Sequence, residues 1–302
     1  MTIDIELLKT MPLPDWSDET SKAERGKLLI VGGSRRIPGA LILAARAALR
    51  AGCGSVRVAA PESVALHIGI AVPELMVIPL PETGAGTIAS SAVELIAAQC
   101  KLCDAVVLGP GLDANSETDE FAREVVKSAP LPLLIDAQAI SALDAKWKAG
   151  EAPRVLTPHA QEFATISGQE VGDDDDEREK AATTYAQKAG ATLALKGHHS
   201  LVAAPDGEVY RNESGTRALG TAGSGDVLAG IIGSLLAQGL DVTRATIWGV
   251  HMHAEAGEAL TKDGGEDGWM ARDFIDRLPS VQKYLRHVTG EKRKSGFGLR
   301  HG

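Results

Sequence analysis

The chain has 302 residues and a mass of 31.5 kDa; 44% of its residues are hydrophobic and only 4% are aromatic. This length and composition predict a globular α/β domain whose core consists mainly of Ala, Val, Leu and Ile. The 31 basic and 40 acidic residues give a net charge of −9, which argues against a nucleic-acid-binding protein. Because an acidic surface repels anionic nucleotides, any such ligand must be held by local hydrogen-bond donors.

Cysteine usage and the chain start predict a soluble cytoplasmic protein with no membrane partner. Cys53, Cys100 and Cys103 are too few for a disulfide framework and indicate a reducing compartment. Cys100 and Cys103 have C-x-x-C spacing, but they fall between a predicted helix end and a predicted strand start. This position favours a structural role over a redox one. The first ten residues lack a secretory signal pattern, and no apolar run approaches the length of a membrane span.

Seven short runs rich in Val, Ile and Leu lack period-two alternation, which predicts strands that are covered on both faces. These runs are residues 27–31, 55–60, 75–80, 104–108, 131–135, 154–156 and 192–195. Longer Ala-rich segments between them predict helices at residues 39–51, 88–98, 117–127 and 177–189. The alternation of strands and helices predicts a mostly parallel sheet between two helical layers.

The pattern changes after residue 202. Residues 202–204 and 208–212 flank a Pro-Asp-Gly turn sequence, which predicts an antiparallel hairpin at the edge of the sheet. Three helical blocks follow at residues 224–238, 244–260 and 271–287. Because no linker or internal repeat divides the chain, we expect one domain over residues 1–302, with a core at about 20–288 and a flexible tail at 289–302.

The strongest local signal for chemistry is GTAGSGD at residues 220–226, directly before an apolar helix. Glycine lets the backbone approach a ligand, and the amides at a helix N-terminus form an anion site. Asp226 could take a proton from a hydroxyl group while these amides hold a phosphate. The local pattern is equally consistent with a helix-capping Asp226 and glycines that allow close packing. The sequence contains no Walker A motif, and no G-x-G-x-x-G follows the first strand.

The GSGD segment resembles the G-x-G-D signature of the ribokinase-like superfamily, and further segments resemble one branch of it, the ADP/ATP-dependent NAD(P)H-hydrate dehydratases. In chain order these segments are VGGS at 31–34, GA at 39–40, PELM at 73–76, GPG at 109–111, DA at 136–137, TPH at 157–159 with Glu162, KG at 196–197 and HAEAG at 253–257. The resemblance covers about residues 26–279. It implies a ribokinase-like three-layer α/β/α fold with a mostly parallel central sheet.

The family repairs NADH and NADPH that have added water across the nicotinamide ring. The resemblance therefore implies a lyase that dehydrates (6S)-NADHX or NADPHX, with ADP converted to AMP and phosphate through a phosphorylated intermediate. The chemistry is reasonable because hydroxide is a poor leaving group and phosphate is a good one. One alternative is an ATP-dependent kinase of a small alcohol, such as a sugar or vitamin precursor. Another is a catalytically silent nucleotide-binding module, against which the retained Asp226, Lys196 and Glu162 argue.

The resemblance also implies roles for individual residues. Asp226 would be the base, and the backbone of Gly223, Ser224 and Gly225 would stabilise the transferring phosphoryl group. The residues implied at the hydrated nicotinamide nucleotide are Ala40, Gly111, His159 and Asp226. Those implied at the adenine nucleotide are Lys196, Gly197, His198, His199, Ser200 and Gly225. Glu162 would hold Mg²⁺ through water. Without the family, His159 could equally be a capping or surface residue.

Three departures from the family pattern bear on the site. Arg35 and Arg36 could favour a substrate phosphate, such as the 2′-phosphate of NADPHX, or could simply be solvated. Gln138 replaces the second carboxylate of a family Asp-Ala-Asp, and Gln161 replaces a usual glycine.

A further cluster of possible metal ligands lies in the helical block at residues 244–260. It consists of His251, His253, Glu255 and Glu258, for which packing is favoured over zinc binding.

The resemblance implies that the partners are small molecules and further copies of the same chain. We expect a homo-oligomer, with a tetramer as one form. About 20 residues precede the first strand, too few for the epimerase domain that some relatives carry, so the chain is expected to act together with a separate NAD(P)H-hydrate epimerase.

Overall fold

The computed structural model describes residues 1–16 and 19–290. Within these residues, nine strands form one sheet in the order β3-β2-β1-β4-β5-β6-β7-β8-β9. The strands are β1 (Lys27–Val31), β2 (Ser55–Pro61), β3 (Met76–Leu80), β4 (Ala105–Leu108), β5 (Leu133–Ile135), β6 (Arg154–Leu156), β7 (Thr192–Leu195), β8 (Ser200–Ala203) and β9 (Val209–Asn212). The strands β1 to β7 pair in parallel, whereas β8 pairs antiparallel with both β7 and β9. The predicted parallel sheet with an antiparallel edge hairpin is confirmed.

Helices cover both faces of the sheet. They are α1 (Ile5–Thr10), α2 (Gly39–Arg50), α3 (Glu62–Ala71), α4 (Val93–Cys100), α5 (Ser116–Ser128), α6 (Gln138–Ser141), α7 (Ala160–Ser167), α8 (Asp175–Ala189), α9 (Ser224–Ala237), α10 (Val242–Gly264) and α11 (Ala271–Val288). One hydrophobic core lies between the sheet and α1, α2, α3, α9, α10 and α11. A second core lies between the opposite face and α4 to α8. The three-layer α/β/α architecture is therefore confirmed.

Local differences from the predicted elements have packing causes. The helix predicted from residue 88 starts later, because Ile88 forms a bridge with Glu82 and a short 3₁₀ turn at Ser90–Ala92 precedes α4. The helix α3 was not predicted; Val64 and Ile68 hold it against the core, but Leu66 and Ile70 are exposed and hide its amphipathic period. Most of the tail expected to be flexible, residues 291–302, lies outside the described residues.

Cys100 ends α4 and Cys103 lies two residues before β4, as the sequence predicts. All three cysteines are free and buried. Burial raises the pKa of both Cys53 and Cys103 to about 11, which leaves their thiols protonated and unreactive at neutral pH. Among the described residues, no helix is long and apolar enough to cross a membrane.

Candidate active site

Five neighbouring strands, β1, β4, β5, β6 and β7, end at the same edge of the parallel sheet. Open α/β sheets bind ligands outside the carboxyl ends of their strands. The loops and helix starts that follow these five strands carry Ala40, Gly111, Asp136, His159, Glu162 and Lys196. This topology brings together residues that are separated by up to about 150 positions in the chain.

The GSGD segment forms the start of α9. Gly223 is the N-cap and has φ of 89°, a left-handed conformation in which a Cβ would lie 2.5 Å from Leu43 Cδ1 of α2. Ser224 is buried, and its Oγ is hydrogen-bonded to His253 Nε2 at 3.0 Å. Burial, assisted by the charge of Lys196, lowers the pKa of His253 to about 4, so this histidine is neutral. The loop is thereby fixed. The Ser224 amide donates to Thr221 O at 3.2 Å, so the first-turn amides of α9 without an intrahelical acceptor are those of Gly225 and Asp226.

Asp226 lies in the first turn of α9 and is partly exposed. Burial raises the pKa of its carboxyl group to about 7, with a further rise from Asp136 and an opposing effect of Lys196. A carboxylate of this kind is a stronger base than an ordinary aspartate, and about half of it is ionised at neutral pH. Asp226 can therefore accept a proton from a hydroxyl group held beside the α9 amides.

Lys196 lies between the carboxylates of this edge. Its ammonium donates to Asp136 Oδ1 at 3.2 Å and lies 3.8 Å from Glu162 Oε2. Burial acts to lower the pKa of Lys196, but Asp136 and Glu162 outweigh it and the net direction is upward, so the ammonium stays charged. A Cβ on Gly225 would come within 3.5 Å of Lys196 Nζ. The predicted nucleotide-binding lysine and the G-x-G-D segment are therefore neighbours.

Asp136 is buried beneath Lys196 and is hydrogen-bonded to it. Its Oδ1 also accepts a hydrogen bond from Thr157 Oγ1 at 2.6 Å. The next residue, Ala137, is the one non-glycine residue in the described chain with positive φ, 51°. Such strain persists where the surroundings hold the backbone, and it often marks a functional site. Gln138, which replaces the second family carboxylate, donates through Nε2 to Asp119 Oδ1 of α5 at 2.9 Å.

The predicted contacts to the nicotinamide nucleotide, Ala40 and Gly111, are neighbours. Gly111 has φ of 72°, and a Cβ there would lie 2.4 Å from Ile37 O and 3.1 Å from Ala40 Cβ. These small residues let the loops after β1 and β4 touch. The exposed Arg36, on the loop after β1, lies 3.2 Å from Asp113 Oδ2.

Its neighbour Arg35 is also paired with a carboxylate, that of Glu82. Both arginines therefore lie in ion pairs at the protein surface.

His159 and Glu162 form a capping box at the start of α7. His159 Nδ1 accepts from the amides of Gln161 and Glu162, both at 3.2 Å, and Glu162 Oε2 accepts from His159 N at 2.9 Å. The capping alternative for His159 is thus realised, although half of its side chain is exposed.

No group of three His, Cys, Asp or Glu side chains in the described part of the chain could hold an ion. Glu162 therefore fits Mg²⁺ only through water and alongside phosphate oxygens, a mode that Mg²⁺ commonly uses.

The predicted nucleotide-binding residues after Lys196 lie along one rim of the site. Gly197 and His198 are exposed, His199 Nδ1 lies 2.8 Å from Asp175 Oδ2 of α8, and Ser200 begins β8. Beneath this loop lies Arg178, a buried residue of α8 that belongs to none of the sequence motifs. Its signal in the sequence is its place three and four residues before the buried Ala181 and Ala182, on the apolar face of α8.

The histidines of α10, His251 and His253, are buried and hydrogen-bonded within the protein, in agreement with the packing role that the sequence analysis favoured. Besides the Ser224 bond of His253, His251 Nδ1 is hydrogen-bonded to Asn212 Oδ1 at 3.0 Å. Burial lowers the pKa of His251 to about 4, so it is neutral too.

Comparisons with known proteins match nearly the whole chain. A family model described as NAD(P)H-hydrate dehydratase matches residues 28–280. The ADP-dependent (S)-NAD(P)H-hydrate dehydratase of Xanthomonas campestris is 39% identical over 280 residues, which cover 93% of this chain and 95% of the relative. A bifunctional NAD(P)H-hydrate repair enzyme of Thermofilum pendens is 37% identical over 290 residues, and this chain spans 55% of its length.

A solved structure shows the same architecture. The ADP/ATP-dependent NAD(P)H-hydrate dehydratase of Bacillus subtilis, co-crystallised with ATP and Mg²⁺, superposes with a TM-score of 0.81 at 27% identity, covering 94% of this chain and 98% of that one. The family match, the relatives and the fold agree over nearly the whole chain: it belongs to the NAD(P)H-hydrate dehydratase family.

Proposed function

We propose that this chain dehydrates the S epimers of hydrated NADH and NADPH, with ADP converted to AMP and phosphate. The observation that carries the proposal is the position of Asp226, a base with a pKa of about 7 in the first turn of α9, close enough to Lys196 and Asp136 for their charges to act on it. The relative from Xanthomonas is named for this reaction and for its dependence on ADP. Such a base would serve a lyase or a kinase equally, so it is the relative that favours the lyase over a kinase that would release a phosphorylated alcohol.

The proposed reaction has two stages. Asp226 takes the proton of the ring hydroxyl while the oxygen of that hydroxyl attacks the β-phosphorus of ADP. The bond from the β-phosphorus to the oxygen that bridges the two phosphates breaks, and AMP leaves. The amides of Gly223 and Gly225 and the Lys196 ammonium face the negative charge of the transferring group, whereas the Ser224 amide donates to Thr221 O. The phosphorylated ring then loses phosphate and a proton from the adjacent carbon, which restores the double bond of the reduced nicotinamide.

We assign the remaining residues as follows. Ala40, Gly111 and His159 contact the hydrated nicotinamide nucleotide, and the loop from Lys196 to Ser200 contacts the adenine nucleotide. Glu162, through water, would hold Mg²⁺, which when bound neutralises phosphate charge. The support for this set is that its members lie on loops, at helix starts or, for Ser200, at the start of β8, along one edge of the sheet.

We further propose that residues at about 20–288 act as one catalytic domain in a cytoplasmic homo-oligomer, with a tetramer as one form. The three free, buried cysteines fit a reducing compartment. A functional link to an epimerase is supported by the bifunctional repair enzyme of Thermofilum, of which this chain spans about half.

The test uses NADH hydrated by acid treatment. Recovery of the near-ultraviolet absorbance of reduced nicotinamide is followed with ADP, with ATP and with no nucleotide. ADP-dependent recovery with stoichiometric AMP supports the lyase. Consumption of ATP on another alcohol without recovery of NADH would support a kinase instead, and nucleotide binding without turnover of either kind would support a silent module.

A further inference from the structure

Arg178 lies directly under the loop that joins β7 to β8. The side chain is only 6% exposed, although arginine is rarely buried without partners. Its Nη1 donates to His199 O at 2.9 Å and its Nη2 donates to Lys196 O at 3.4 Å. The guanidinium group therefore binds the backbone at both ends of the segment Lys196–His199.

The contact with Gly197 shows how closely this segment covers Arg178. A Cβ on Gly197 would lie 2.2 Å from Arg178 Nη2 and 2.8 Å from its Cζ. No positive φ is involved at Gly197, so the glycine is needed here for space rather than for backbone conformation. Any side chain at this position would displace either the loop or the guanidinium group.

The bond to Lys196 O also sets the direction of the next amide. In a trans peptide the C=O of one residue and the N–H of the next point in opposite directions. With Lys196 O turned toward Arg178, the N–H of Gly197 points away from α8. Gly197 is exposed, so this N–H is open to a hydrogen-bond acceptor on a ligand.

Asp175 completes the arrangement. Its Oδ1 accepts from Arg178 Nη1 at 3.3 Å and its Oδ2 lies 2.8 Å from His199 Nδ1. Arg178 thus fixes the backbone of the loop directly and the His199 side chain through Asp175. The Asp175 carboxylate also offsets the positive charge of the buried guanidinium group.

We infer that Arg178 is a positioning residue for the nucleotide site: it holds the segment Lys196–His199 so that the Gly197 amide and the Lys196 ammonium face the phosphates of ADP. This inference rests on the proposed function in assigning ADP as the ligand. The residue itself is shielded from the ligand by the loop that it supports.

The first experiment compares Arg178→Lys with Arg154→Lys. Arg154 is a matched control, because it is also buried and donates to the backbone oxygens of Val126, Pro153, Ala129 and Leu131, but lies at the amino end of β6, away from the site. For Arg178→Lys we expect the KM for ADP to rise about 10-fold or more, since the single nitrogen of lysine does not reproduce the planar pair of nitrogens that bind His199 O and Lys196 O. The KM for hydrated NADH should change less than about twofold, and Arg154→Lys should lower only the thermal stability.

The second experiment is a double-mutant cycle with Gly197→Ala, whose single variant keeps Arg178 and so covers the case in which Arg178→Lys does not fold. We expect Gly197→Ala alone to raise the KM for ADP, because its Cβ displaces Arg178 or the loop. In an Arg178→Ala background the same change should have much less effect, since the space is then free. Calorimetric titration with ADP measures the same coupling without turnover.

The outcomes separate the two proposals. A wild-type protein that binds ADP but does not dehydrate hydrated NADH defeats the proposed function and leaves the ADP titrations to decide the role of Arg178. An active wild type whose Arg178 and Gly197 variants keep the ADP affinity within about twofold, or respond additively, overturns the positioning role.

Discussion

Lys196 and the buried Asp136 form an ion pair of 3.2 Å across the carboxyl ends of β7 and β5, which are not adjacent in the sheet. The pair spans the end of the intervening strand, β6, and Thr157, the residue after β6, donates to the same carboxylate oxygen. Glu162 and Asp226 are the other acids whose charges act on Lys196. One cation thus serves three carboxylates, and the basicity of Asp226 depends on this shared charge.

Replacement of the base is the first test of the site. Asp226→Asn keeps the size of the side chain and the α9 amides but cannot accept a proton from the ring hydroxyl. We expect kcat for dehydration to fall by about 100-fold or more, the range that general bases contribute. The ADP affinity by calorimetry and the circular dichroism spectrum should be retained. Activity within a few-fold of wild type would remove Asp226 from its assigned role.

The acidic limb of the pH profile of kcat/KM should report the pKa of Asp226. Two variants should move this limb in opposite directions. The base must be ionised, so kcat/KM should rise with pH through about 7. Asp136→Asn removes a negative charge that raises the pKa of Asp226, so the limb should move to lower pH. Lys196→Met removes the charge that lowers this pKa, so the limb should move to higher pH. Shifts in the same direction would contradict the shared network.

The same group should make stability depend on pH. The carboxyl pKa of Asp226 is raised to about 7 in the folded protein, against about 3.9 for an unfolded aspartate, so the folded state binds the proton more tightly. This contribution is fully present below about pH 4 and is lost as the pH rises through about 7. The thermal stability of Asp226→Asn relative to wild type should therefore be greater at about pH 8 than at about pH 5. A difference that does not vary with pH would place the carboxyl in bulk-like solvent.

Much of the fold follows from local pattern. Continuous apolar runs such as residues 105–108 and 193–195 are fully buried, as strands between two helical layers are, which makes the parallel strands predictable. The helices α3 and α7 were not predicted, because neither shows a clear local pattern. In α3, outward-facing Leu66 and Ile70 mask the period, and α7 spans only eight residues, Ala160–Ser167.

The candidate site was predictable where a motif is contiguous and unpredictable where it depends on the register of distant strands. The GSGD segment identifies Asp226, Gly223 and Gly225 directly. No local pattern places Lys196 against Asp136, because that pairing depends on the offset between β5 and β7. The carbonyls that turn Arg178 inward likewise belong to a loop 18 to 21 residues further along the chain.

The strained turn after Asp136 offers a test of how the site is held. Ala137 has φ of 51° and ψ of −132°, and its carbonyl accepts from the amide of Ile140 at 2.9 Å to start α6. Glycine relieves backbone strain of about 1–3 kcal/mol at such a position. It also lowers the free energy of unfolding by about 0.4–1 kcal/mol, because it raises the entropy of the unfolded chain. We therefore expect Ala137→Gly to raise the free energy of unfolding by about 1 kcal/mol, measured by urea denaturation.

The matched control for this change is Ala139→Gly, two residues along in α6, where the side chain is fully buried. Here glycine removes a packed methyl group and adds chain entropy, so the free energy of unfolding should fall by about 1–2 kcal/mol. Opposite signs for the two changes would show that the surrounding contacts force the backbone at Ala137. If both variants lose stability to the same extent, the backbone at Ala137 is unstrained.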